Sequence, residues 1–193
     1  CRKDFCFCYT ISRDDCLLSY YNQNAVSFVA DTAEVSFTEL QDAFLTYIKP
    51  GGKILDFGCG SGRDSRYFID HGFQVVSVDG SEKMCELASA YMGQPVICTT
   101  FQRYLPTEMF DGIWACASLL HLEFREIESV MKKLTAALIT GGCFYVSFKY
   151  GEFSGERNGR FFTDMQESTL KALVSGIPNL ELQLQFITQD VRP

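Results

Sequence analysis

No run of about 18 consecutive apolar residues occurs in this sequence, so a helical membrane span is not expected. Basic charge is scarce. Seventeen Lys and Arg stand against 24 Asp and Glu, a net charge of −7, with no basic stripe to neutralise a phosphate backbone. Nucleic acid is therefore not expected as the main partner. His71 and His121 are the two histidines, and no paired C-x2-C spacing occurs, so no metal is expected. The opening Cys1-Arg2-Lys3-Asp4 is not followed by an apolar stretch, and no secretory leader is expected. Internal repeats and low-complexity tracts are also missing.

What is present fits one globular domain: 193 residues, 47% hydrophobic and 21% charged. Nine cysteines is a high count. Cys1, Cys6, Cys8 and Cys16 crowd the first sixteen residues, where a metal site is the less favoured alternative to plain thiols. Cys59, Cys85, Cys98, Cys116 and Cys143 sit inside apolar patterns, where cysteine behaves as a small hydrophobe. Reduced thiols and a cytoplasmic location are the expectation.

From residue 53 onward, apolar strands alternate with amphipathic helices, the pattern of a parallel sheet wrapped by helices. Ser36 and Glu39 form a capping box for a helix through Tyr47, stopped by Pro50-Gly51-Gly52. Strands are expected at Lys53 to Phe57, Gln74 to Val78, Val96 to Thr99, Phe110 to Ala115 and Cys143 to Phe148. The intervening helices run from Arg63 to His71, from a Ser81 cap to Met92, and from Arg125 to Leu138. Lys149 to Asp164 reads as a long irregular connection, the kind that often carries function. A helix from Glu167 to Ser175 and an alternating strand from Leu180 to Phe186 close the sequence.

The strongest chemical signal is Asp56-Phe57-Gly58-Cys59-Gly60-Ser61-Gly62, between a strand and a helix. Alternate glycines let the backbone turn tightly and let a ligand approach main-chain atoms. The helix behind offers its N-terminal N–H groups to an anionic part of the ligand. Asp79, ending the second strand 17 positions after Gly62, can accept hydrogen bonds from both hydroxyls of a ribose. Together these point to an adenosine-containing ligand. Asp56 would repel a pyrophosphate and attract an ammonium, and the G-x-G-x-G spacing differs from the G-x-G-x-x-G of nicotinamide sites. Both favour S-adenosylmethionine (SAM) over a dinucleotide.

Residues 20 to 193 resemble bacterial class I SAM-dependent methyltransferases of the small single-domain type, related to tellurite-resistance and ubiquinone-biosynthesis methyltransferases. The resemblance is carried by Tyr20-Tyr21-Asn22-Gln23-Asn24-Ala25, Ile54 to Asp64, Val78-Asp79-Gly80-Ser81, Phe110-Asp111-Gly112-Ile113-Trp114 and Gly141-Gly142. It implies a Rossmann-like α/β fold, a mostly parallel sheet with helices on both faces, over 19–193, with 1–18 unassigned. Asp56, Gly58 and Gly60 would then line the methionine end of SAM, and Asp79 would hold the ribose. Gly80 and Met84 would flank the adenine, closed on its other side by Phe101 and Gln102. Ala115 to Ser118, with Cys116 among them, would lie beside the transferring methyl. Arg63 is either a partner for the SAM carboxylate or a solvated helix residue, and Tyr20 and Tyr21 belong either to a covering N-terminal helix or to ordinary packing. Such folds also end in an antiparallel strand. The sequence stops at Asp190-Val191-Arg192-Pro193, so that strand is expected to be missing unless Leu180 to Ile187 takes its place.

Methyl transfer needs alignment above all, and a base only where the acceptor must lose a proton. His121, after the fourth strand, is the candidate base, with packing as its alternative. Tyr150, Arg157 and Arg160 are candidate substrate contacts, the arginines for a carboxylate or phosphate. The alternative there is a solvated loop balanced by Glu152 and Glu156. A small-molecule acceptor is expected. A SAM-binding module without catalysis and a nicotinamide-dependent oxidoreductase are the competing readings.

Overall fold

The computed structural model describes residues 13–32 and 37–188. Strands β1 (Lys53–Phe57), β2 (Gln74–Asp79), β3 (Ile97–Cys98), β4 (Phe110–Ala115) and β5 (Leu138–Val146) form one parallel sheet in the order β3-β2-β1-β4-β5. Side chains on β1 and β4 alternate between the two faces. Leu55, Phe57, Ile113 and Ala115 pack with Ile127, Val130 and Met131 of α5 (Phe124–Thr135) and Leu173 of α6 (Glu167–Ser175). Ile54 and Trp114 pack on the other face with Phe44 of α2 (Thr38–Leu45) and Phe68 of α3 (Arg63–Asp70). Each fully buried side chain of this size contributes roughly 1.5–3 kcal/mol. An exposed ion pair such as Arg66–Asp70 is screened by water and contributes little, so the sheet sandwich carries the fold.

Local chemistry sets the helix ends. Ser81 accepts from Met84 N at 3.2 Å and caps α4 (Glu82–Met92). Gly72, with φ +84°, follows α3 where a left-handed residue ends the helix. The expected capping box is only partly within view, since Ser36 lies outside the described residues; α2 begins at Thr38, behind Phe37. The clustered Cys1, Cys6 and Cys8 and the closing Asp190 to Pro193 also lie outside them. An N-terminal helix, α1 (Arg13–Thr32), runs across the boundary expected at residue 18 and lies against α4 and a C-terminal hairpin.

Four sequence expectations are corrected. Lys149 to Asp164 is not irregular: it holds an antiparallel hairpin, β6 (Ser154–Arg157) and β7 (Arg160–Thr163). Asn158 (φ +50°) and Gly159 (φ +73°) form its two-residue turn, because both central positions need left-handed backbone. The helix expected to reach Leu138 stops at Thr135, and β5 starts ahead of Gly141-Gly142, with a register shift opposite Phe110–Gly112. The third strand shrinks to Ile97–Cys98. Leu180 to Phe186 joins no ladder despite its alternation, so it does not fill the place beside β5.

Candidate functional site

The sheet order reverses between β1 and β4, and the turns leaving the carboxyl ends of these strands open a cleft there. Its floor is the glycine turn. Gly58 N and Cys59 N both donate to Val78 O, at 2.8 and 3.0 Å, tying the turn to β2. Gly58 has φ +87°, and a Cβ there would stand 2.3 Å from the Ser118 Cβ and 3.1 Å from the Phe101 ring. Only glycine fits.

Asp79 closes one wall. Its Oδ2 accepts from Gly60 N and its Oδ1 from Ser81 N, both at 2.9 Å. Each carboxylate oxygen keeps a second lone pair, so a diol can still bond to both. Burial pushes the Asp79 pKa up, against the pull of the amides at Ser81, Gly60 and Gly80. Gly80, Met84, Phe101 and Gln102 line the cleft beside it. Leu18 of α1 sits over Gly80 and Phe28 over Gly60. Asn22 clasps α1 to α4: its Oδ1 accepts from Ser81 Oγ at 2.7 Å and from Lys83 N at 3.1 Å.

Asp56 does not lie on the wall. It is 2% exposed, on the sheet face covered by α3, where Ser65 Oγ donates to its Oδ2 at 2.6 Å. Its pKa is pushed up to about 8, first by burial and then by the nearby Asp64 carboxylate. Arg63 lines the cleft but is not solvated: Nε and NH2 donate to Asp64 Oδ1 and Oδ2 at 2.8 and 3.0 Å. Asp64 accepts as well from Gln41 Nε2 (2.7 Å) and Trp114 Nε1 (2.9 Å). A buried carboxylate requires such partners, and this one holds the arginine expected to face the ligand. Ala115 is fully buried behind the wall, whereas Cys116 and Ser118 reach it. Ser118 Oγ is buried without a hydrogen-bond partner, a polar group short of a bond at the edge of the cleft.

The opposite wall joins distant parts of the chain. His121 ends a 3-10 turn, Leu119–His121, whose backbone N bonds to Ser118 O. His121 Nδ1 lies 2.8 Å from Phe161 O. That carbonyl only accepts, so Nδ1 carries the proton and Nε2 is the acceptor. Tyr21 of α1 therefore donates its hydroxyl proton to His121 Nε2, at 2.8 Å. Burial raises the Tyr21 pKa, with Arg160 opposing. Arg160 stacks over the rings of Tyr20 (4.7 Å) and Phe162 (5.1 Å). Arg157 pairs with Asp164, and Tyr150 is a 58% exposed rim residue.

The cleft is lined continuously from the Asp79 wall to Tyr21, His121 and Arg160 of the opposite wall. The expected covering N-terminal helix is α1; sequence reasoning missed Leu18, Asn22 and Phe28 on it, although Leu17, Leu18, Tyr21, Ala25 and Phe28 carry the helical spacing that places them together. Among the described residues no group of three or more His, Cys, Asp or Glu could hold a metal, and no helix is long and apolar enough to cross a membrane.

Residues 55–146 match the family model of a methyltransferase domain. An uncharacterized methyltransferase of Anoxybacillus flavithermus is 29% identical over 142 residues, 69% of this chain and 67% of that protein. Phosphoethanolamine N-methyltransferase 1 of Zea mays is 30% identical over 129 residues, 62% of this chain but 25% of that protein, so the chain spans about a quarter of the maize relative. In fold the chain is similar to magnesium protoporphyrin IX methyltransferase of Synechocystis with bound SAM, at TM-score 0.63 and 18% identity, over 86% of each chain.

Proposed function

We propose that this chain carries a class I SAM-dependent methyltransferase domain, a reading supported by the family match over 55–146 and by the fold, and that it transfers the methyl group of SAM to an oxygen, nitrogen or sulfur of a small acceptor. The observation that carries this reading is Asp79, a carboxylate fixed by two backbone amides with its free lone pairs at the cleft, beside a turn that only glycine can make. Asp79 would hold the ribose hydroxyls, and Gly58 and Gly60 would leave room for the methionine end. Gly80, Met84, Phe101 and Gln102 would enclose the adenine. Arg63 is held bidentately by Asp64, which disfavours a dinucleotide pyrophosphate at this turn.

SAM, when bound, supplies a methyl group already activated on a sulfonium, so the chain's own work is alignment and proton handling. The Tyr21–His121 pair is placed for the second task. As the acceptor's nucleophile loses its proton to Tyr21 Oη, the tyrosine's own proton passes to His121 Nε2. Tyr21 stays neutral, and the resulting imidazolium keeps its Nδ1–H bond to Phe161 O. Tyr21 is thus the catalytic residue and His121 the positioning residue behind it. This pair favours an enzyme over a module that only binds.

Calorimetric titration tests the reading. SAM and its demethylated product S-adenosylhomocysteine (SAH) are expected to bind the wild-type chain, while Asp79→Ala loses about a hundredfold in affinity, the equivalent of two charge-assisted hydrogen bonds. No uptake of either nucleoside by the folded wild-type chain would sink the proposal.

A further inference from the structure

We infer that Arg160 anchors an oxyanion carried by the methyl acceptor, and that Arg157, its partner across the hairpin turn, does not. The inference rests on the proposed function for the location of the acceptor. Arg157 and Arg160 are paired in the β6–β7 register and both line the cleft. Their surroundings differ. Arg157 NH2 donates to Asp164 Oδ1, so its charge is neutralised within the hairpin, and its guanidinium packs over Phe153 at 4.3 Å. Arg160 meets no carboxylate among the described residues. Its NH1 reaches the Tyr21 hydroxyl at 3.5 Å, too long for a strong bond, and its buried Nε, like that of Arg157, has no acceptor, so the missing carboxylate is what sets it apart.

The rings of Tyr20 and Phe162 satisfy the faces of this guanidinium and leave its edge unsatisfied. A guanidinium presents five N–H donors in one plane, a fork that fits two oxygens of a carboxylate or a phosphate. A partly buried cation without a counter-charge is costly, and an oxyanion on the ligand removes that cost. Position narrows the acceptor further. Arg160 touches Tyr21, and Tyr21 is bonded to His121. An oxygen held about 2.8 Å from Arg160 therefore lies within a few bonds of the nucleophile that Tyr21 serves. The acceptor class is a small molecule whose anionic group sits close to the atom that is methylated.

The test uses the SAH-loaded chain, titrated separately with inorganic phosphate and with acetate. Uptake of phosphate alone identifies a phosphoryl-bearing acceptor, and uptake of acetate identifies a carboxylate; either supports the inference. In Arg160→Gln the anion affinity is expected to fall at least about tenfold, the loss of one charge-assisted bond, with SAH affinity unchanged. Arg157→Gln is expected to keep the anion and to melt earlier. Absence of uptake for both anions in the wild-type chain, or uptake that survives Arg160→Gln, overturns the inference. If Arg160→Gln fails to bind SAH, Arg160→Lys decides instead: weakened anion uptake supports the fork, and unchanged uptake overturns it. If the wild-type chain binds no SAH, the proposed function fails by itself, and the anion titration of the unloaded chain still reads Arg160.

Discussion

The two walls of the cleft are built in different ways. On the Asp79 side, the glycine turn, the second strand and the α4 cap are local strand–turn–helix segments, locked by backbone bonds to Val78 O and to the Asp79 carboxylate. On the other side, Tyr21, His121 and Arg160 come from positions up to 139 residues apart and meet through single hydrogen bonds and ring contacts. The first wall is set as soon as the sheet forms. The second exists only while α1, the 3-10 turn and the hairpin are all in place, and such sparse contacts make it the less stable part. Damage to the first should therefore cost SAH binding and folding together, and damage to the second should cost turnover or acceptor binding with SAH binding kept.

Gly58→Ala puts this to the hardest test. A Cβ 2.3 Å from the Ser118 Cβ, on a left-handed residue, is expected to cost roughly 3 kcal/mol in a urea melt and to abolish SAH binding. An unaltered melt would show that the turn yields, and the contrast between the walls would fail. Tyr21→Phe probes the other side. Turnover is expected to drop about a hundredfold with SAH affinity retained, and a parallel loss of SAH affinity would mean that the walls are not separable. Asp56→Asn gives the smallest effect on the cleft, which Asp56 does not line. Because folding raises the Asp56 pKa from 3.8 to about 8, the folded chain holds the extra proton between those values. Stability contributed by that proton is full below the lower value and is lost as pH rises towards the upper one. Wild-type Tm is expected to fall steadily over that interval relative to Asp56→Asn, and parallel pH profiles of the two would refute the assignment.

The same contrast governs what could be read before the structure. Asp79, the glycine turn and the Ser81 cap were legible because each is a short-range pattern with one backbone solution. The place of Arg63 was not, since its partner Asp64 is held by Gln41 and Trp114, 23 and 50 positions away. Asp56 was assigned to the methionine end from its place beside the glycines, but strand alternation turns it towards Ser65. The hairpin was overlooked although Asn158-Gly159 announces it, because Ser154-Gly155-Glu156-Arg157 lacks an alternating apolar face. Leu180 to Phe186 shows the reverse: perfect alternation makes no strand without a neighbour to pair with.

A single helix roofs both walls. Of the 20 residues of α1, one turn carries both attachments: Asn22 bonds towards α4, while Tyr20 and Tyr21 beside it meet the hairpin arginine and His121. Contacts that share one helical turn cannot be released separately by a movement of that turn. Under the proposed function, departure of the spent donor and entry of the next acceptor would be geared to one motion of that turn.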